Sequence, residues 1–474
     1  MKLITSFQIK LTVLFTAILF SVTNIWAVTY YSQASGNPTV LTNWNSVRTG
    51  GGSTPANFTG EDVFVIQSGH NMTSSAGWTV GSGTVSSVAK LQIENGGILT
   101  ANSTTATSSI TMGTTATLQV DAGGKIVWIT NAVNTNSMLG LWKGIEAFDA
   151  ASDFEFQGNI PPYFNGAYPD VNGYGNVIFN CSGANVGFNA NVGKIRGNLT
   201  VLNASGTTGY NFGNINKTIP IGGNLTIDGA NLTFKILSTA GTCNVSVGGN
   251  VIVKNGAKFN LAVVSGGVAN VTVGGDITIQ ASSILAGNVT DLATPCSLIL
   301  TGNGKNITSN GTFNTGGLNV EVATGASIEL ASNLDVAVNR TLTVNGTLKC
   351  GNSVLSGAGN FTLNTGATLI HTNTGGINAV VAVTGTKTIN GTVTANSALD
   401  LNKFSTVKIS SVHDGISIHS LNIGDLVSVY SVEGKQLHKL TAFENQVLIP
   451  SNNGLYIVKV ETKAGILSKM VAVK

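Results

Sequence analysis

SVGGNVIVKNGAKFNL, residues 246–261, is one line of a refrain. IGGNLTIDGANLTF (221–234) precedes it and VGGDITIQASSIL (273–285) follows it, each displaced by 26 residues when the glycine pairs are aligned. Three consecutive blocks result, 198–223, 224–249 and 250–275, each opening on Asn and closing on Gly-Gly. A fourth opens at Asp276 and runs one residue longer, through Leu300-Thr-Gly302. A fixed period of this size without helical spacing is the mark of a solenoid. Within each block apolar residues alternate: Leu199/Val201, Leu225/Ile227, Val251/Val253 and Ile277/Ile279 share one face of successive strands. Thr200, Thr226, Ile252 and Thr278 take the other face. Stacked blocks would turn the first set into an inward aliphatic column and the second into an outward, mostly threonine column. The block ends repeat the pattern with Val245/Val247, Val271/Val273 and Leu298/Leu300. The Gly-Gly pairs are expected at corners that need positive φ.

The same grammar reaches further. LQIENGG (91–97) recurs as LQVDAGG (118–124), and VEVATGASIEL (320–330), LTVNGTLKC (342–350) and FTLNTGATLIH (361–371) follow at shorter spacings. The reading is an all-β chain: a right-handed parallel β-solenoid of about 26-residue, drifting coils over 85–395, then a small immunoglobulin-like β-sandwich. Residues 28–84, with Trp44, Phe58, Phe64 and Trp78, are expected to form an N-terminal β cap covering the first coil.

The bulk composition agrees. Only 9% of the 474 residues are charged and 59 are glycine, against roughly 25% charged in ordinary soluble proteins. Low charge combined with abundant Val and Ile fits paired β-structure and not disorder. Lys2, Lys10, the largely apolar run from Leu11 to Val22 and Ala27 read as a signal peptide over 1–27. The formal charge is +3, of which Lys2 and Lys10 supply two units, so no electrostatic case exists for nucleic acid. Of the 45 charged residues, 13 fall in the last 74, with three of the five histidines. That step places a boundary near 400, with a linker at 396–404.

The column Asn198, Asn224, Asn250 and Asp276 is expected to be a hydrogen-bonded ladder between coils; one acid among three amides is poor for a hard cation. Cys243 and Cys296 fall at equivalent positions two coils apart, beyond disulfide reach, and are expected as buried free thiols. His70 and His371 stand alone, and no intact metal, nucleophile-elbow or phosphate-loop motif is present in the sequence. Neither a metal nor a cofactor is therefore expected, and no catalytic residue is assigned. Asp228, Asp276 and Asp291 do not align, as paired carboxylates of a polysaccharide-cleaving β-helix would have to. The remaining candidate is 142–179, rich in aromatics and in acids (Glu146, Asp149, Asp153, Glu155, Asp170). Its rings either fill a local core or stack on sugars, and Trp142, Tyr163, Phe164 and Tyr168 are the candidate glycan contacts. The alternative function, carbohydrate binding or polysaccharide degradation, rests on this segment.

The tail changes idiom. Seven short alternating segments between 405 and 474, split by turns such as Ile423-Gly-Asp425 and Ser451-Asn-Asn-Gly454, read as a sandwich. VSVYSVEGKQLHKL, NNGLYIVKVET and the terminal KMVAVK resemble the type A C-terminal sorting domain of type IX secretion cargo. The resemblance covers about 70 residues, and it places the sorting signal on Gly454, Tyr456, Val458, Lys459, Val460, Lys469 and Lys474. It implies Sec export, outer-membrane passage through the type IX machinery, removal of the sorting domain, and attachment to surface lipopolysaccharide or release. YYSQASG…LTNWNS…TPANFTGEDVFVI near the start is similar to the opening of repetitive cargo of this kind. The expected protein is a secreted or surface-displayed rod with an adhesive or structural role and no enzymatic activity, with surface lipopolysaccharide or an extracellular glycan as the candidate partner.

Overall fold

A computed structural model describes residues 27–473 except 75–76, 82–88, 104–109, 114, 131–144, 159–172, 182–185, 188–193, 203–208, 213–215, 374, 396–406, 414 and 463–464. Strand Val251–Lys254 lies between Leu225–Asp228 and Ile277–Ile279, parallel to both. The register is the one the refrain sets: Ile227 pairs with Val253 and Val253 with Ile279, while Thr226 pairs with Ile252 and Ile252 with Thr278. Val251, Val253, Leu225, Ile227, Ile277 and Ile279 are buried, and the Thr/Ile252 file between them is half-exposed. Each coil adds a strand to a second sheet (Thr233–Leu237, Lys258–Ala262, Ile284–Asn288) and to a third (Gly241–Val247, Gly267–Val273, Cys296–Leu300). The chain is a parallel β-solenoid whose interior is filled by aliphatic columns and by a run of rings, Phe212, Phe234 and Phe259, at 5.4 and 5.7 Å. Each fully buried Val, Leu or Ile contributes about 1.5–3 kcal/mol, so the columns are the principal source of stability.

The Asn column forms the expected hydrogen-bonded ladder, chiefly from the backbone N–H of one residue to the side-chain oxygen of its counterpart one coil earlier. Asn224 Oδ1 accepts from the backbone N–H of Asn250 (2.8 Å), and Asn250 Oδ1 accepts from that of Asp276 (2.8 Å). Asn176 and Asn198 precede them in the same way, and Asp276 Oδ1 takes the N–H of Asn306 (2.8 Å). Each side chain thus satisfies a corner donor that would otherwise be orphaned beneath the next coil.

The glycine pairs need correcting. Gly222, Gly223, Gly248, Gly249, Gly274 and Gly275 all lie outside the left-handed region. Glycine is required there because coils touch. A Cβ on Gly248 would lie 2.5 Å from Gly222 O, one on Gly274 2.8 Å from Gly248 O, and one on Gly249 would strike Asn224 Oδ1. Positive φ falls elsewhere, on Asn231 (62°), Asn255 (57°) and Ser282 (64°), in the turns after the three strands named first.

The strands of the segment expected as the N-terminal cap pair with the coils that follow. Thr29–Ser32 runs parallel to Val63–Ile66, which pairs in register with Lys90–Ile93, and Asn71–Ser74 pairs with Ile98–Ser103. Trp44, Phe58, Phe64 and Trp78 meet there as one cluster, with Trp44 stacked 6.0 Å from Trp78. Downstream, Leu91 pairs with Leu118, and Val320 pairs with Leu342, which pairs with Phe361, as the looser repeats imply.

The chain divides into two compact units, one holding 27–349, 353–369 and 381–392, the other holding 350–352, 370–380 and 393–473. Within the second unit, three strands (Lys408–Val412, Gly415–His419, Gln446–Pro450) form one antiparallel sheet. Four more (Gln436–Thr441, Leu426–Ser431, Gly454–Thr462, Gly465–Val473) form another. Ile409, Ile416, Ile418, Val427, Val429, Val458 and Val460 share the core between them. All seven expected segments are strands, and the arrangement is immunoglobulin-like. The expected linker 396–404 and residues 1–26 of the signal peptide lie outside the described residues.

Candidate functional site

Trp142, Tyr163, Phe164 and Tyr168, the candidate glycan contacts, lie outside the described residues. The aromatics of the same segment that are described point inward. Phe148, Phe154, Phe156, Tyr174 and Phe179 are all buried, and they pass ring to ring: Phe148–Tyr174 at 5.6 Å, Phe154–Phe156 at 4.9 Å and Phe156–Phe179 at 5.4 Å. Alternation within Asp153–Gly158 and Asn176–Cys181 turns Phe154, Phe156 and Phe179 inward.

The acids of this region are held by neighbours. Glu155 is 6% exposed and meets Lys125 Nζ at 2.5 Å, Gln157 Nε2 at 2.6 Å and Asn180 Nδ2 at 2.8 Å. Burial alone would raise its pKa, but the three donors outweigh burial and hold it below the usual glutamate range. Asp153 accepts from Asn176 Nδ2 at 2.9 Å, and Asp149 closes its own turn through Ala151 N–H at 2.8 Å. A carboxylate held ionised by a lysine and two amides suits a structural clamp across adjacent coils better than proton transfer. Glu146 lies in strand Ile145–Phe148, and Asp170 is outside the described residues.

One alignment of acids escaped the sequence reading. Ile66, Ile93, Val120 and Phe148 stack in register, so Glu94, Asp121 and Asp149 follow one another on three successive coils. The signal was present in LQIENGG and LQVDAGG, where the fourth letters match in charge. Here too the carboxylates are engaged: Arg48 grips Glu94 with two bonds, 2.6 and 2.8 Å, and Gln92 and Gln119 donate to Asp121 at 2.7 and 2.6 Å. Asp228 binds Lys254 at 3.0 Å, Asp276 serves the ladder, and Asp291 accepts from Gly266 N–H, Ser265 and Thr294. Those donors hold Asp291 down to about 2. Among the described residues no group of three or more His, Cys, Asp or Glu is placed to hold a metal.

His70 Nδ1 is 2.8 Å from Ser32 Oγ, but Ser32 is fully buried and its Oγ also takes Gln67 N–H, so the hydroxyl is not presented to a substrate. Cys181, Cys243, Cys296 and Cys350 are buried thiols, none of them in a disulfide. Cys243 pairs with Ala269, whose N–H points to Cys296 Sγ at 3.4 Å, which is the two-coil separation the repeat demands.

The sorting-signal residues have distinct structural places. Val458 and Val460 lie in the sandwich core. The Tyr456 ring folds back over Gly454, where a Cβ would stand 3.3 Å from the hydroxyl, and that hydroxyl donates to Asn452 O at 2.8 Å. Lys459 pairs with Glu461 at 2.8 Å, a bond that raises the lysine's pKa and lowers the glutamate's. Lys469 reaches the opposite sheet and donates to Ile409 O at 2.6 Å, while Lys474 is outside the described residues. A groove beside them is lined by Leu437, His438, Pro450, Asn452 and Tyr456. Comparison of the chain with protein-family models, with curated proteins and with solved structures gave no match.

Proposed function

We propose that the chain is an exported, surface-displayed or released β-solenoid whose role is adhesive or structural, and that residues 405–474 act as its type IX sorting domain. The observation that carries the first part is the outward surface of the repeat. Asn244, Asn270, Ser297 and Asn319 form one file of amides and hydroxyls along four successive coils. Asn270 Nδ2 donates to Asn244 Oδ1 at 2.9 Å, so the file is tied together along the stack. Uncharged hydroxyls and amides repeated at about 4.8 Å offer many weak, identical contacts to an extended partner such as an extracellular glycan, and avidity can sum them. The resemblance of GLYIVKV and KMVAVK to a sorting domain supports the second part, as does the seven-strand sandwich that carries them.

A glycan array probed with residues 28–400 tests the adhesive role, and selective retention of a neutral polysaccharide is expected. An array that stays blank, together with no retention on cells of the host, would refute it. Deleting 401–474 in a type IX-competent host is expected to strand the protein in the periplasm; unchanged surface display would refute the sorting role.

A further inference from the structure

Thr347–Gly351 and Thr368–His371 are neighbouring strands that alternate buried and outward residues, and Cys350 and His371 both fall on the buried side. Cys350 is 0% exposed and His371 1%. Backbone bonds from Thr368 N–H to Gly346 O (2.9 Å) and from Thr372 N–H to Gly351 O (3.0 Å) bracket the two residues. That sets them one coil apart, about 4.8 Å. In this interior the Nδ1 atom of His371 has no hydrogen-bond partner among the described residues. A bare imidazole nitrogen in an apolar core is costly and asks for an explanation, such as a bound ion.

We propose that Cys350 Sγ and His371 Nδ1 form a buried two-coordinate site for a soft monovalent cation, copper(I). The donors fit, because thiolate selects copper(I) and imidazole accepts it readily. Two bonds of about 2.0–2.3 Å, the range of thiolate and imidazole ligands on zinc, laid end to end come close to the spacing of about 4.8 Å between adjacent coils. Charge decides the valence. A thiolate with a monovalent cation is neutral overall, which an apolar interior tolerates, whereas a dication would leave a net charge buried. Zinc would also lack its usual four ligands, since among the described residues no third His, Cys, Asp or Glu joins the pair. On loading, the S–H bond breaks, an S–Cu bond and an N–Cu bond form, one proton leaves to solvent, and copper stays in the +1 state.

The test uses the full chain, kept anaerobic, with copper(I) delivered from its bicinchoninate complex. One equivalent is expected to transfer, with one proton released per copper, and X-ray absorption should show one sulfur and one nitrogen neighbour. Cys350→Ala and His371→Leu are expected to lose that equivalent, while Cys243→Ala, which removes a different buried thiol, should keep it. No transfer to the wild-type chain overturns the proposal, leaving Nδ1 to an ordered water. Wild-type stoichiometry in Cys350→Ala overturns it too. So does a wild-type absorption spectrum lacking the sulfur–nitrogen pair, a measurement that does not depend on any variant folding.

Discussion

Val253 and Ile252 are adjacent, similar and β-branched, yet the structure gives them opposite fates. Val253 is fully buried between Ile227 and Ile279, and Ile252 is half-exposed between Thr226 and Thr278. Val253→Asp forfeits the valine's burial, about 1.5–3 kcal/mol, and places a carboxyl where no donor stands. Burying that group without a hydrogen bond adds roughly 1–3 kcal/mol if it is protonated and more if it is charged. The sum exceeds about 4 kcal/mol at neutral pH, in the range that marks a broken core. Ile252→Thr completes a threonine file and is expected to stay within about 0.5 kcal/mol. Val253→Ala separates the two contributions, since it removes apolar contact without adding a polar group. Urea midpoints by far-UV circular dichroism would rank the three, with Val253→Asp recovering part of its deficit at about pH 4, where its carboxyl is protonated. Because a coil stack can melt in parts, amide exchange of strand Val251–Lys254 should accompany the midpoints. Equal losses at 252 and 253, or a larger loss at 252, would refute the inward column.

Three further outcomes follow from the corners and turns. Gly249→Ala should destabilise by more than about 2 kcal/mol, because its methyl strikes Asn224 Oδ1 and the Gly223 backbone; a midpoint equal to wild type would show that the coils are not in contact there. Asn224→Ala, which leaves the Asn250 N–H without an acceptor, should cost about 1–3 kcal/mol, and Asn224→Asp, which keeps the acceptor, should cost less by the same urea assay. For Asp291 the folded pKa, about 2, lies below the unfolded value of about 3.9. Its contribution is therefore present above about pH 4 and lost as pH falls through 2. Amide exchange at Gly266 should quicken over that window, and Asp291→Asn should flatten the response.

What the sequence disclosed and what it withheld divide along one physical line. Side-chain alternation and a 26-residue interval are one-dimensional signals, so the inward and outward files, the Asn column and the two-coil gap between Cys243 and Cys296 could be read directly. Features set by the approach of one backbone to another could not. The glycine pairs suggested positive φ, which is a local property, whereas their cause is the carbonyl of the coil beneath. VFVI and NMTS are too short to show a period, so only their pairing partners reveal that parallel stacking reaches them. The acid file Glu94–Asp121–Asp149 was missed because its third member follows a different phrase. In the aromatic segment, alternation could have placed Phe154 and Phe156 inside, but composition alone suggested a platform.

The asparagine ladder also separates the length of a coil from its position. Successive rungs are 22, 26, 26, 26 and 30 residues apart along the chain, yet each bond is 2.8 Å. The corner acts as an index mark: the chain must return to it, but it is free to take a longer or shorter route. Extra residues placed in a turn can bulge outward without shifting the strands on either side, because the next carbonyl re-seats the chain. Such a scaffold can gain surface loops one coil at a time, which is how a rod of uniform interior could come to display a varied exterior.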